Sequence, residues 1–406
     1  MTERALHDIE ELDPQQILNR LQAVVDRQTV DTEIGRIVMP GPTYLGIWAR
    51  DTGIVTLGLN RLGDLDLARE LLHRYWSYQI GPDSDPTSFV FRNKGYSDWT
   101  EAYAFHPSHE QLQAEIGAFP TTVYIQTPNF PPGTCEIYAS RADPDSVGWL
   151  IIALHDYYVR SGDLDLLREL APAVVRAVSY LERRDEDGDH LLEQGPNEDW
   201  ADILLRRGKV SYTQAIWFRC LEAAAGIFDA VREPGRAARY RWQREAVHRA
   251  INRVLFTPHG FYANYVTDQG VSLRRSLDTA LLVAFGACDV NQGRRVLERL
   301  DTLDGPFGLS VVEPGYAPDA IGPSHYPPGQ YQNEGIWPWI SSYLALAWAR
   351  VGEDGRAQEI IHALSRAQQD TTYEWIDSLT GECYHPEFAT GAGAMAWVIT
   401  ESGLTG

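Results

Sequence analysis

Apolar residues recur along most of this chain at the three-to-four-residue spacing of helices that bury one face. Thr52–Tyr78 predicts two helices broken at Leu62–Gly63. The first turns Ile54, Leu57 and Leu59 inward, the second Leu67, Leu71, Leu72 and Tyr75. The same spacing predicts helices over Ser146–Arg160, Leu164–Arg183, Thr213–Ala230, Gly235–Leu255, Ser276–Asp289, Asn291–Leu303, Ile340–Val351 and Asp354–Gln368. A final helix follows the Gly/Ala run of GAGAMAW. The turns at Leu62–Leu72, Ser161–Leu170 and Val351–Ile361 echo one another: a Gly ends one helix and a nearby Asp can cap the next. Strand signals are few and short, at Asp187–Leu192, Gly260–Val266 and Gly308–Val312.

About ten to twelve helices arranged as hairpins predict an all-α chain. The expected architecture is an (α/α) toroid, an inner helix ring inside an outer one, with a few short strands in its loops. No linker or composition shift divides the chain, so residues 1–406 are expected to form one catalytic domain. The long loop 81–144 carries Tyr96, Trp99, Phe105, Tyr124 and Tyr138, and predicts an ordered lid-like insertion.

Composition narrows the function. The net charge of −21 argues against nucleic acid and anionic membrane surfaces as partners. Lysine occurs only at Lys94 and Lys209, so arginine carries the positive charge. Cys135, Cys220, Cys288 and Cys383 are far apart and form neither a disulfide framework nor a zinc pattern. With no leader-like N-terminus and no apolar run of spanning length, a cytoplasmic protein with reduced thiols is the expectation.

Four clusters carry candidate chemistry. In GPTYLGIWARDTGI, Tyr44, Trp48, Arg50 and Asp51 lie where a Pro/Gly loop enters a helix. An Arg–Asp pair beside an indole can hold adjacent sugar hydroxyls, although Asp51 can equally cap the helix. In GPNEDWAD, Glu198, Asp199 and Asp202 surround Trp200. Crowded carboxylates raise one another's pKa, as a general acid requires, while the plainer reading is a solvated acidic loop. In YQNEGIWPW, Asn333, Glu334, Trp337 and Trp339 precede a helix, and at least one ring is expected to pack between helices. In TTYEWIDSLTGE, Glu374 and Trp375 stand before a polar turn; Glu374 could activate water or simply be an exposed charge. The stretch DEDGDHLL has calcium-loop spacing but no glutamate at its twelfth position, so a turn is expected there. His106 and His109 form a weak zinc-like pair without a third ligand.

Taken in order, IWARDT, EDWAD before RRG and YTQAIW, YQNEGIWPWI and YEWID…TGE resemble the six-hairpin glycosidases. That clan includes alkaline/neutral invertases, trehalases, mannosylglycerate and glucosylglycerate hydrolases and processing α-glucosidases. The resemblance runs from Met39 to Trp397. It implies an (α/α)6 barrel and an inverting glycoside hydrolase acting on a small α-glucoside or related glycoside. It implies Asp202 as general acid, ahead of Arg206-Arg207 and Gln214-Ala215, and Glu374 as general base. It implies Trp48, Arg50, Asp51, Asn333 and Trp337 as sugar contacts, and Tyr44, Trp200, Gln214, Glu334 and Trp375 are expected to join them. Glu334 departs from the glycine usual in such loops. Acid–base hydrolysis needs no cofactor or metal, and the partner is a small sugar. A glycoside phosphorylase, a sugar epimerase or lyase relying on His325 or His385, and a non-catalytic glycan-binding protein remain as alternatives.

Overall fold

A computed structural model describes residues 13–93, 103–125, 127, 130–139, 141–322, 326–368 and 371–404. Thirteen α-helices lie among the described residues: α1 (Pro14–Gln28), α2 (Ala49–Leu62), α3 (Leu65–Trp76), α4 (His109–Ala114), α5 (Pro144–Ser161), α6 (Leu164–Glu182), α7 (Ser211–Ala230), α8 (Pro234–Val254), α9 (Ala280–Ala284), α10 (Val290–Leu300), α11 (Pro338–Arg350), α12 (Asp354–Gln368) and α13 (Ala389–Glu401).

Six of these helices pack in a closed circuit: α2 on α5, α5 on α7, α7 on α9, α9 on α11, α11 on α13, and α13 back on α2. A second set lies outside them. Helix α3 packs on α2 and α5, α6 on α5 and α7, α8 on α7, α10 on α9 and α11, α12 on α11, and α1 on α13. The result is a helical toroid. Sequence separates the two sets. In α11 every residue from Pro338 to Trp348 is buried, and in α13 every residue from Ala389 to Ile399. A helix that is apolar or small on all sides belongs in the interior. Helix α10 instead buries only Gly293, Val296, Leu297 and Leu300, a single stripe.

The predicted helix boundaries fall within a few residues of those observed, with one exception. The helix expected over Ser276–Asp289 is a 3-10 turn at Leu277–Thr279 followed by the five-residue α9. It stops at Phe285 because Gly286 turns the chain at φ 77°. Helix α1 carried no prediction. Among the hairpin turns, Gly63 and Gly162 adopt left-handed φ of 90° and 70°, and Asp64 and Asp163 cap α3 and α6.

The predicted strand at Asp187–Leu192 is a bend. Only Tyr265–Thr267 and the pieces Gly308–Leu309 and Val312–Glu313 are extended at the other two places. Conversely, a five-stranded sheet that no pattern announced runs in the order Gly46–Trp48, Thr122–Tyr124, Cys135–Ile137, Phe89–Asn93, Tyr103–Phe105. Four of its strands come from the segment 81–144, which therefore adds a sheet beside the helices. Tyr96 and Trp99 lie outside the described residues. No helix among those described is long and apolar enough to cross a membrane.

Helices α2 and α13 pack backbone to backbone at Gly58 and Gly393. A Cβ on Gly393 would lie 2.8 Å from Val55 Cα and 2.9 Å from Ile54 O, both backbone atoms that cannot swing aside. Gly393→Ala is therefore expected to destabilise the fold by about 1–3 kcal/mol, read as a lower urea midpoint at unchanged slope.

Candidate active site

The N-terminal ends of α2, α5, α11 and α13 converge, and a cavity of about 230 Å³ opens there. Its wall includes Tyr44, Trp48, Arg50 and Asp51 from the entry to α2, and Thr121, Tyr138 and Asp143 from the segment leading to α5. Asn197, Asp199, Trp200 and Asp202 come from the loop before α7. Tyr331, Gln332, Trp337 and Trp339 precede or begin α11. Glu374, Phe388 and Thr390 complete the wall, with Glu374 on the strand Tyr373–Ile376, paired to Cys383–Pro386.

Three carboxylates from one acidic loop meet different fates. Glu198 is ion-paired to Arg184 and accepts from Gly195 N at 2.7 Å. Asp199 receives Arg206 through two bonds of 2.8 Å, and Arg206 also reaches Asp278 at 2.7 Å. Trp200 Nε1 donates to the same Asp278 carboxylate at 2.8 Å. Asp202 is half-buried against the cavity and accepts from Gln332 Nε2 at 3.0 Å. The same amide donates to Trp200 O at 2.7 Å and accepts from Ile203 N at 3.0 Å, so Gln332 fixes the whole turn that carries Asp202.

Glu374 lies deep, 5% exposed. The Tyr44 hydroxyl hydrogen-bonds it, and Tyr331 OH donates at 3.4 Å. Burial, with the charges of Asp51 and Asp202 nearby, pushes its carboxyl up to about 8 against the help of those two hydroxyls. Asp51 accepts from Thr390 Oγ1 at 2.5 Å, and burial raises it too. It caps no helix, since it sits within the first turn of α2.

Arg50 does not pair with Asp51 as its neighbour in sequence suggested. Its guanidinium grips Asp145 at 2.6 and 3.1 Å and stands 3.8 Å from Asp143. Tyr212 OH donates to Asp145 at 2.9 Å and itself accepts from Trp149 Nε1 at 2.9 Å. Aromatic rings form the rest of the wall: Tyr44 edge-on to Trp48 at 4.8 Å, Trp200 against Trp337 at 5.3 Å, and Tyr331 against Trp337 at 4.9 Å.

Of the twelve residues given acid, base or sugar-contact roles from sequence, eight line the cavity: Tyr44, Trp48, Arg50, Asp51, Trp200, Asp202, Trp337 and Glu374. The other four stand behind it. Gln214 exchanges two hydrogen bonds with the Leu192 backbone, pinning the preceding loop to α7. Asn333 is fully buried and staples Tyr316 and Tyr326 through backbone bonds. Glu334 takes a left-handed φ of 67° and accepts from Gly315 N at 2.5 Å. Trp375 stacks flat on Tyr384 at 4.0 Å and props Tyr331. Sequence reading passed over Asp143, Asn197, Tyr331, Gln332 and Thr390. Asn197, Tyr331 and Gln332 stood inside quoted motifs, whereas Asp143 had no local signal beyond its loop.

Among the described residues the cavity wall offers no His or Cys ligand. Among the described residues one acidic group, Asp185, Asp187 and Glu193, is arranged so that three carboxylates could share a cation. Lys209 Nζ already stands there, at 2.6 Å from Asp187, 2.9 Å from Asp189 and 3.2 Å from Glu193. Its tethered ammonium supplies the positive charge. His106 Nδ1 is engaged by Phe89 O at 2.8 Å, and His325 lies outside the described residues.

The family model for amylo-alpha-1,6-glucosidase matches residues 127–401, about two thirds of the chain and both candidate carboxylates. The chain belongs to this family. Its membership fits the six-hairpin glycosidase clan. A search of curated proteins found no match. Among solved structures, a GH63 mannosylglycerate hydrolase from Thermus thermophilus, in complex with Tris and D-glycerate, superposes with a TM-score of 0.70 at 14% identity, covering 94% of this chain and 99% of its own. A structure described as a wild-type glycosidase gives 0.68 at 16% identity, covering 97% and 98%. A rhamnosidase from Klebsiella oxytoca with rhamnose bound gives 0.64 at 17% identity, covering 98% of this chain and 65% of its own. At these identities the shared property is the fold.

Glu374 supplies a stability test. Its folded-state pKa of about 8 lies above the ordinary value of 4.5, so the folded protein holds a proton that the unfolded chain releases between those pH values. Stability from this residue therefore falls as pH rises from about 4.5 through 8. Glu374→Gln removes that loss. It is expected to melt several degrees above the unmodified protein at pH 9, with the gap closing towards pH 4.5.

Proposed function

We propose that this glycosidase-family protein hydrolyses a small α-glucoside or related glycoside with inversion, its helical toroid being the (α/α)6 barrel of the six-hairpin enzymes. The observation that carries the reading is the convergence of Asp202 and Glu374, from loops far apart in sequence, on one aromatic-walled cavity. In this reading protonated Asp202 donates to the leaving oxygen while the anomeric carbon gains oxocarbenium character. Ionised Glu374 takes a proton from the water attacking the opposite face, an arrangement that needs the carboxyls roughly 6.5–9.5 Å apart. Gln332 positions the acid. Tyr44 and Tyr331, donating to Glu374, stabilise the base in its charged form. The cavity is smaller than the roughly 300–1,000 Å³ that takes drug-sized ligands, which suits one sugar ring and a short aglycone.

The cavity's charges bear on the alternatives. Arg50, the one arginine among the described residues of its wall, is held by Asp145, and Asp51, Asp143, Asp199, Asp202 and Glu374 surround the space. A phosphate dianion would find no uncommitted cation among the described residues of this acidic wall, which disfavours phosphorolysis. For an epimerase or lyase, His385 is exposed and absent from the wall, and burial raises the Tyr44 and Tyr331 hydroxyls rather than activating them as bases. Four free cysteines fit a cytoplasmic, reducing setting.

The elevated Glu374 favours a second reading in which the two carboxyls exchange roles. Leaving-group chemistry separates them. With Asp202 as acid, Asp202→Asn is expected to lose about 10³-fold or more on an alkyl glycoside, yet far less on a glycosyl fluoride, whose leaving group needs little protonation. Glu374→Gln is expected to lose both. The reverse pattern would exchange the roles, and full activity in either variant would remove that residue from the chemistry. Proton NMR of the first-formed anomer tests inversion directly.

Tyr44→Phe removes one hydroxyl that holds Glu374 ionised, so the carboxyl titrates higher still. With Glu374 as base, the acidic limb of kcat/KM is expected to move to higher pH; an unmoved limb would dissociate Tyr44 from the base.

A further inference from the structure

Asp143 behaves unlike the other aspartates at helix starts. Asp13, Asp64, Asp163 and Asp289 stand at the N-caps of α1, α3, α6 and α10, and each accepts a backbone N–H with its side chain. Asp143 holds the same position on α5 with backbone angles suited to capping, yet makes no such bond. A capping aspartate commonly contributes about 0.5–2 kcal/mol, so its side chain is diverted from a favourable local role. It is 2% exposed, and its Oδ1 is buried without a hydrogen-bond partner. Arg50, the nearest cation, spends both of its short bonds on Asp145 and stays 3.8 Å away.

Two other wall residues show the same deficit. Asn197, held at a left-handed φ of 65° and 5% exposed, has its Oδ1 unpartnered. Trp337, 4% exposed, has an unpartnered indole N–H. A buried polar atom without a partner costs about 1–3 kcal/mol. Buried atoms without a protein partner occur elsewhere among the described residues too, but these three line one cavity, where a ligand can supply the missing bonds.

We infer that Asp143, with Asn197 beside it in the same wall, is a specificity-determining residue that reads one hydroxyl of the bound sugar. The inference rests on the glycosidase reading above and names how that site selects its sugar. A hydroxyl both donates and accepts, and a neutral carboxyl does the same. Burial and the neighbouring Asp145 charge favour that neutral form of Asp143 against the pull of Arg50 and a hydrogen bond from Thr121. Loss of the hydroxyl from the sugar, or of the carboxyl from the protein, should then remove the same interaction.

The test is calorimetric binding of D-glucose, D-mannose, L-rhamnose and the monodeoxy forms of whichever sugar binds the unmodified protein. Asp143→Ala is expected to weaken that sugar about tenfold, equivalent to about 1.4 kcal/mol. It should leave one monodeoxy analogue unaffected, because that analogue already lacks the contact. Asp143→Asn, which keeps a donor and an acceptor, should restore most of the affinity. Asp143→Ser, a good cap, serves the same comparison if the alanine variant does not fold. Equal weakening for every analogue, or none, would overturn the role of Asp143 and leave the glycosidase reading standing. Failure of the unmodified protein to bind any of these sugars would overturn both.

Discussion

The arrangement of the candidate site depends on the double ion pair of Arg206. This side chain is 2% exposed and joins Asp199, on the acidic loop, to Asp278, at the turn that opens α9. Removing the cation would leave two nearly inaccessible carboxylates uncompensated, the situation in which breaking a buried pair costs most. Because Trp200 shares Asp278 and Asp202 follows two residues later, the same guanidinium sets where the candidate acid stands relative to the ring of helices. The strand that carries Glu374 is joined to the start of α11 by reciprocal backbone bonds between Ile336 and Ile376. One carboxyl is thus positioned by a buried ion pair and the other by a β-ladder. Their meeting is a property of the tertiary fold alone.

Around that frame the cavity gathers more acid than its cations can neutralise. Arg206 and Arg50 are each consumed by carboxylates, and Asp51, Asp143 and Glu374 are all pushed up by burial. The N-terminal ends of α2, α5, α11 and α13 offset part of this, since their partial positive charge favours anions. The balance leaves groups whose protonation is sensitive to what enters. Carboxyls that cannot all ionise together divide into proton holders and proton acceptors, the division that acid–base hydrolysis requires.

Sequence carried the toroid well, because buried and half-buried helices write different patterns. The all-round burial of α11 and α13 follows from runs such as WISSYLALAW and ATGAGAMAWVI, and the hairpin turns are marked by Gly63 and Gly162. The five-stranded sheet was illegible. Its strands are three to five residues long, too short for alternation to register, and their partners come from distant segments. The site was legible where chemistry clusters locally. Trp48 to Asp51 and Trp200 to Asp202 are compact, and the fold brings both groups to the wall. Asn333, Glu334 and Gln214 share the polar character of ligand-binding residues, but their bonds run to backbone. Composition cannot distinguish an amide that holds a loop from one that holds a sugar.

What does distinguish them is satisfaction. Asn333 has every polar atom engaged and can be spared by no ligand, whereas Asn197, Asp143 and Trp337 each keep a buried atom idle beside the same space. Natural folds pair most of their buried polar groups, so an unpaired one beside a cavity is a place where a ligand can complete it. Along this wall the deficits add a distinction that residue type alone does not make. On the inferred role, Asp143 forgoes the capping bond that four other aspartates make and holds its carboxyl for the cavity.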